Sequence, residues 1–134
     1  MNIIKTNRRA LQAGTTLIEL SVVIAIILLL ASVLFIGVSA WRDAANRSAA
    51  IVDISSIQKA VRGYQNTNLL NLGDACTQAN VATFFNGTLP TDPSNNNAAF
   101  TYPAATVPAI GTLYATSGNA ATMAQLTTIG YSSW

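Results

Sequence analysis

The chain has 134 residues, enough for one domain, and only 9% of them are charged although 51% are hydrophobic. Average soluble domains have roughly 25% charged residues. From Ala75 to Trp134 the only charged side chain is Asp92. A surface with so little charge is not typical of a cytosolic protein that is kept apart from its neighbours by like charge. It favours a protein that lies outside the cytoplasm or packs against copies of itself.

The net charge of +2 and the pI near 9.0 describe only the beginning of the chain. Lys5, Arg8 and Arg9 carry three positive charges before Gly14, whereas the remaining residues carry four positive and five negative charges. No basic patch interleaved with aromatic residues follows. We therefore expect no nucleic-acid partner.

The sequence offers little for catalysis. It has no histidine, which excludes histidine-dependent nucleophilic triads and histidine metal sites. Beyond residue 65 the only carboxylates are Asp74 and Asp92, and glycosidase-type chemistry needs two carboxylates placed across a substrate. The glycines are scattered and form no phosphate-binding loop. We expect the protein to be neither an enzyme nor the holder of a cofactor.

A long apolar run follows the short, positive first segment. Leu20 to Trp41 are 22 residues without a charge, and about 20 residues span ~30 Å of hydrocarbon. The run has no polar face, which predicts a membrane helix or a helix that is buried on all sides. The positive residues before it are typical of a segment that stays on the cytoplasmic side of a membrane.

Three interpretations of this run compete. An ordinary secretory signal would be cut after the small residues Val38-Ser39-Ala40, but its apolar region would be shorter, about 7–15 residues. A plain single-pass anchor explains the length and the basic flank, but it leaves Glu19 unexplained, because an acid near the membrane costs a few kcal/mol without a partner. The third interpretation rests on the residues around Glu19.

A glycine, an acid and an unbroken apolar run coincide in Gly14-Thr15-Thr16-Leu17-Ile18-Glu19-Leu20 and the residues after it. This combination resembles the N-terminal motif of type IV pilins and of the pseudopilins of type II secretion systems. In that family a prepilin peptidase cuts after the glycine and methylates the new amino group. The apolar helix is kept, first as a membrane anchor and then as the core of a filament. Thr15 stands where the family usually has Phe.

The resemblance implies a division of the chain into three parts. Residues 1–14 would be a leader, residues 15–41 a transmembrane and filament-core helix, and residues 42–134 a small extracytoplasmic domain. It implies Gly14 and Thr15 as the processing residues, and a single-pass location in the bacterial inner membrane before assembly into an extracytoplasmic filament. The implied partners are the prepilin peptidase, copies of the chain itself and related pilin-like subunits.

Glu19 is the residue to which we assign assembly. An isolated carboxylate in apolar surroundings is strongly penalised, whereas one that faces an ammonium group is compensated. In a filament the Thr15 amine of an incoming subunit could be that partner. The alternative is that Glu19 reaches the cytoplasmic interface of the membrane and has no further role.

After Trp41 the helix is expected to continue with one apolar face. Ile51, Ile54, Ile57, Val61 and Tyr64 recur at spacings of 3, 3, 4 and 3, which is a helical stripe. The pattern fades in the polar residues 65–68, so we predict a helix from about residue 16 to residue 65.

Two further expectations concern this helix and the segment after it. Asp43 and Arg47 are predicted to form an i,i+4 ion pair. A short helix is predicted near Cys76–Phe85.

The last third of the chain is predicted to form a small antiparallel sheet of three or four strands on that helix, giving an α+β fold of the pilin-like kind. Phe100–Tyr102 and Ile110–Thr116 contain β-forming residues, and Met123–Tyr131 is predicted as a last strand. The segment Leu89-Pro90-Thr91-Asp92-Pro93 is similar to the turn before a β-hairpin in several pseudopilins.

Two polar features of this region remain. The resemblance to pseudopilins, some of which bind calcium in their C-terminal loops, implies Asp74, Asp92 and Asn95–Asn97 as candidate ligands. Calcium takes six to eight oxygens, so capping of turns is the favoured interpretation and no metal site is predicted. Cys76 is the only cysteine, which excludes an intrachain disulfide. We expect it to be a buried small residue or a loop thiol.

The sequence therefore predicts a structural subunit of a type IV pilus or of a type II secretion pseudopilus. The alternative, from a different functional class, is a membrane-anchored extracytoplasmic binding domain that does not assemble.

Overall fold

The computed structural model describes residues 8–130, with the side chains of residues 16–130. The chain has an α+β arrangement, with a long N-terminal helix, two short helices and a two-stranded antiparallel sheet. The elements in chain order are α1 (Arg8–Asn68), α2 (Gln78–Ala82), β1 (Thr91–Asp92), β2 (Ala98–Ala99) and α3 (Ala120–Ile129). By its internal contacts the chain divides into two compact units, Met1–Trp41 and Arg42–Trp134.

The end of α1 lies three residues beyond the predicted one. The helix ends at Asn68 because Leu69 adopts a left-handed backbone conformation with φ of 52°. The amide of Leu70 then donates to the carbonyl of Gln65 at 3.0 Å, which satisfies one of the last helical carbonyls. The Gln65 side chain donates in turn from Nε2 to the carbonyl of Leu70 at 3.2 Å.

The apolar stripe predicted on the second half of α1 is confirmed. Ile54, Ile57 and Val61 are fully buried, and Ile51 and Tyr64 pack at the edge of the same core. The buried residues that pack on this stripe from the rest of the domain are Cys76, Val81, Phe100, Val107, Tyr114 and Leu126. Burial of large side chains contributes about 1.5–3 kcal/mol each, so the stripe is what holds the domain onto its helix.

The predicted sheet of three or four strands is wrong in size. The observed sheet pairs Thr91 with Ala99 and Asp92 with Ala98, two residues in each strand. The predicted strands at Phe100–Tyr102 and Ile110–Thr116 reduce to a single bridge between Thr101 and Thr116. Pro103 and Pro108 are the physical reason, since proline has no N–H to donate and interrupts a strand ladder.

The predicted last strand at Met123–Tyr131 is also wrong, because this segment is helical in α3. Asn119 caps the helix and accepts at Oδ1 from the amides of Ala121 and Thr122 at 3.0 and 3.4 Å. Thr122 and Leu126 are the buried residues of α3 and lie about one helical turn apart, whereas Ala124, which would share their face in a strand, is exposed. Tyr131 lies outside the described residues.

The short helix predicted near Cys76–Phe85 is confirmed as α2, which continues into a 3₁₀ turn at Thr83–Phe85. A capping box starts it: the Thr77 amide donates to Asn80 Oδ1 at 2.9 Å, and the Asn80 amide donates to Thr77 Oγ1 at 3.4 Å. Just before it, the amide of Cys76 donates to the carbonyl of Ala105 at 2.8 Å. The Cys76–Ala105 bond joins two loops to each other in the region where a larger sheet was expected.

Candidate functional site

The residues predicted to be processed lie within α1. Gly14 and Thr15 have helical backbone, and their side chains are outside the described ones. Glu19 follows within the same helix and is exposed, and it is the only charged residue between positions 16 and 41. The structure thus places one carboxylate at the beginning of an apolar helical surface.

That apolar surface extends along the first half of α1. From Leu17 to Val38 the large apolar side chains are 46–86% exposed. Among the described residues α1 is the one helix long and apolar enough to cross a membrane, with a mean hydropathy of 3.0 in its most apolar window, none of which is buried. Signal sequences and soluble core helices can meet the same length and composition test, but a core helix is mostly buried within its own protein.

The serines on this surface bond back to their own helix. Ser21 Oγ donates to the carbonyl of Ile18 at 2.8 Å, and Ser32 and Ser39 make the same i−3 bond at 2.7 and 3.0 Å. These bonds satisfy the hydroxyl donors within the helix. The surface therefore presents few unsatisfied polar groups to a lipid or to a neighbouring helix.

The Asp92 carboxylate, fully buried, connects the hairpin to the start of α3. Its Oδ1 accepts from the amide and the hydroxyl of Ser94 at 3.0 and 2.6 Å, and its Oδ2 accepts from the hydroxyl of Ser117. Ser94 in turn accepts from Thr122 Oγ1 at 2.9 Å and, at its carbonyl, from Asn119 Nδ2 at 2.7 Å. These bonds occupy both carboxylate oxygens of Asp92.

The two aspartates considered for calcium both act in turns. Asp74 accepts at Oδ2 from the amide of Asn71 at 2.6 Å, while Asp92 is the N-cap of the 3₁₀ turn Pro93–Asn95. Asn96 and Asn97 adopt left-handed backbone conformations, which asparagine tolerates better than most residues. Within the described residues no group of three or more His, Cys, Asp or Glu side chains lies together. The turn-capping interpretation accounts for these residues.

Cys76 and Tyr114 are buried in the core, and the partly buried Tyr102 packs against that core. Tyr114 donates its hydroxyl to the carbonyl of Cys76 at 2.7 Å, and the two tyrosine rings meet edge to face at 5.7 Å. Burial raises the pKa of the Cys76 thiol and raises the pKa of Tyr114 to about 12. Cys76 is thus a buried small residue, which is the first of the two predicted alternatives, and it is held in the thiol form, which is a poor nucleophile.

Sequence reasoning missed the structural role of Gln58, a polar side chain that is only 2% exposed. Its Nε2 donates to the carbonyl of Thr112 at 3.2 Å and its Oε1 accepts from the amide of Tyr114 at 3.0 Å. A signal was present, because Gln58 lies four residues after Ile54 and three before Val61, inside the apolar stripe. A polar residue at such a position is buried only if it is hydrogen-bonded.

The predicted Asp43–Arg47 ion pair takes a different form. Arg47 donates from Nε to the backbone carbonyl of Asp43 at 3.3 Å, so the contact is to the main chain. The two residues line a polar cavity of about 230 Å³ together with Asn46, Ser94, Asn119 and Ala121.

Comparison of the chain with models of protein families, with curated proteins and with solved structures gave no match.

Proposed function

We propose that the chain is a structural subunit of a type IV pilus or of a type II secretion pseudopilus. In this proposal it is made as a prepilin, cut after Gly14 and assembled through α1. The observation that carries the proposal is the position of Glu19, the one charge in residues 16–41, at the head of an exposed apolar helix surface. The resemblance of the Gly14–Leu20 segment to the prepilin motif supports the same function.

The exposed apolar surface needs an apolar environment. An exposed patch far larger than those of ordinary soluble monomers is typical of a membrane or protein interface. In the proposed life cycle, lipid covers residues 15–41 first and neighbouring helices cover them after assembly. The serine hydroxyls satisfied at Ser21, Ser32 and Ser39 suit both surroundings.

Glu19 would determine which part of a neighbouring subunit lies beside it in the assembly. A carboxylate among packed apolar helices is strongly destabilising without a partner of opposite charge. The amine that processing creates at Thr15 would be such a partner, and it would lie on the neighbouring subunit. Removal of the carboxylate is therefore expected to reduce assembly while leaving membrane insertion intact.

The rest of the chain fits the proposal as the exposed part of the subunit. Residues 42–134 form a small domain on the second half of α1, and its loops are rich in Asn, Thr, Ser and Ala. A weakly charged surface of this composition suits a domain outside the cytoplasm.

The proposal is tested by co-expression of the full chain with a prepilin peptidase and a pilus assembly machinery, followed by electron microscopy of sheared filaments. We expect filaments from the wild type and a loss of at least about tenfold with Glu19→Ala, equivalent to about 1.4 kcal/mol. Ser21→Ala, which removes only a back-bonded hydroxyl, is the matched control and should assemble normally. Normal filaments from Glu19→Ala would count against the role of Glu19. A processed wild type that forms no filaments would favour the membrane-anchored binding domain.

A further inference from the structure

Asp53 is a carboxylate without a counter-charge in the described part of its own chain. It lies half-buried on α1, and its pKa is raised by burial and by the negative charge of Asp92. Residues 16–130 give it neither a hydrogen bond nor an ion pair. The residues one turn before and after it on the helix are Ala49, Ala50, Ser56 and Ile57, so no cation is within i±3 or i±4.

Lys59, on the same helix, is a cation without an acidic partner in the described part of its own chain. It is exposed, and the residues one turn away are Ser55, Ser56, Arg62 and Gly63, so no acid is within i±3 or i±4. Lys59 and Arg62 lie along an open groove of about 1130 Å³ between α1 and the loops, and none of the described residues that line it is acidic. The groove thus presents positive charge with nothing described in its own chain to balance Lys59.

The two residues cannot neutralise each other within one chain. They are six residues apart, which places them about 120° apart around the helix and ~9 Å apart along it. Their side chains therefore leave α1 on different faces. A pair between them requires two different chains.

We propose that Asp53 of one copy pairs with Lys59 of the next copy, so that the Lys59 groove is an assembly surface for a second copy of this chain. The proposal rests on the filament function proposed above and names a contact for it outside the apolar segment. Because the two halves of the contact lie on different faces, the interface is heterologous, and repetition of a heterologous contact that does not close on itself produces a helical fibre.

The surroundings of both residues suit a close approach of two helices. Ala49 and Ser56 beside Asp53 are small, and the Ser56 hydroxyl is already bonded to the carbonyl of Val52 at 2.9 Å. The groove contributes apolar surface as well as charge, since Leu72 is 49% exposed and Ile110 is 72% exposed. Partial removal of the Asp53–Lys59 pair from water would make it stronger than an ordinary surface pair.

A charge exchange tests the pair in the full chain under filament-forming conditions. Asp53→Lys and Lys59→Asp should each lower the yield of filaments at least about tenfold, and the double variant should recover most of the yield, because the exchange recreates the pair at every interface. Asp43→Lys makes the same charge change ten residues earlier on α1 and should leave the yield within about twofold. Near-UV circular dichroism of each variant in detergent confirms that its domain is folded.

Cross-linking provides a second readout that does not depend on filament yield. Chains with Asp53→Cys and chains with Lys59→Cys, both in a Cys76→Ala background, are mixed in one membrane and oxidised. Disulfide-linked dimers should form in the mixture and not with either variant alone.

The outcomes separate this contact from the function on which it rests. Wild-type filaments with no recovery in the double variant, or with no mixed disulfide, would overturn the Asp53–Lys59 contact and leave the filament function standing. An equal loss of yield with Asp43→Lys would show that total charge matters and would overturn the pair. Absence of wild-type filaments would overturn the function and the contact together.

Discussion

Gln58 Oε1 accepts a hydrogen bond from the backbone amide of Tyr114 at 3.0 Å, across 56 positions of sequence. Gln58 Nε2, the nitrogen of the same side chain, donates to the carbonyl of Thr112 at 3.2 Å. One side chain of α1 therefore satisfies a loop that has no strand partner at this point. The Gln58 side chain thus satisfies backbone groups that a further strand would satisfy in a larger sheet.

Replacement of Gln58 by Met should destabilise the domain by about 2–4 kcal/mol, because a donor at Tyr114 and an acceptor at Thr112 lose their partners in a buried place. Urea unfolding of the full chain in detergent, followed by near-UV circular dichroism of the tyrosines, measures the change. Gln125→Met on the exposed side of α3 is the control, and it should change stability by less than about 0.5 kcal/mol. Equal effects of the two substitutions would show that the Gln58 bonds are not important.

Leu69→Gly should stabilise the domain, although it removes a large apolar side chain. Leu69 has φ of 52° and is 88% exposed, so the leucine has backbone strain at the end of α1 and little packing to lose. A left-handed conformation costs a non-glycine residue roughly 1–2 kcal/mol, and the greater freedom of glycine in the unfolded chain offsets part of this. We expect a net gain of about 0.5–1 kcal/mol in the free energy of unfolding.

Thr67→Gly is the matched control for Leu69→Gly, two positions earlier inside the last turn of α1. Glycine within a helix costs about 0.5–1 kcal/mol, so this variant should be less stable than the wild type. Changes of the same sign in both variants would contradict the left-handed end of the helix.

Asp53→Asn should make the unassembled protein more stable at neutral pH. The folded pKa of Asp53 is raised above its ordinary value of 3.8, so the neutral form is favoured by folding. The resulting stability is present below the unfolded pKa and is lost as pH rises through the folded pKa, whereas asparagine stays neutral throughout. The difference between variant and wild type should therefore appear as pH rises above 3.8 and then level off.

Urea unfolding at pH 3 and pH 7, in detergent and without assembly machinery, measures this difference. Asp43→Asn is the control, because Asp43 is exposed on the same helix, and its effect should stay below about 0.5 kcal/mol at both pH values. A wild type that is more stable than Asp53→Asn at pH 7 would mean that Asp53 has a favourable partner within its own chain.

The parts of the fold that follow from short-range patterns were predictable. The stripe from Ile51 to Tyr64 repeats at helical spacing, and it is buried as predicted. The α2 segment was predictable because Thr77 and Asn80 can cap it locally. The turn Pro93–Asn95 was predictable because Asp92 accepts from the amide of Ser94, but it lies between β1 and β2, within the hairpin, and not before it.

The errors lie where long-range contacts decide the structure. Thr127, Thr128 and Ile129 have strand-forming character, but Asn119 starts a helix before them, and Thr122 and Leu126 complete the core on one side of it. The position of Asp53 beside the buried Asp92 depends on how the hairpin packs on α1. Neither single-residue propensity nor spacing along the chain contains that information.

The mature N-terminus of the protein, measured by mass spectrometry after expression with a prepilin peptidase, tests the central claim most directly. The prepilin interpretation predicts that the chain begins at Thr15, with or without a methyl group on its amine, and that Gly14→Ala reduces this processing. A chain that still begins at Met1 would contradict it and favour an uncut membrane anchor. A chain that begins at Trp41 would contradict it and show ordinary secretion with loss of the apolar helix.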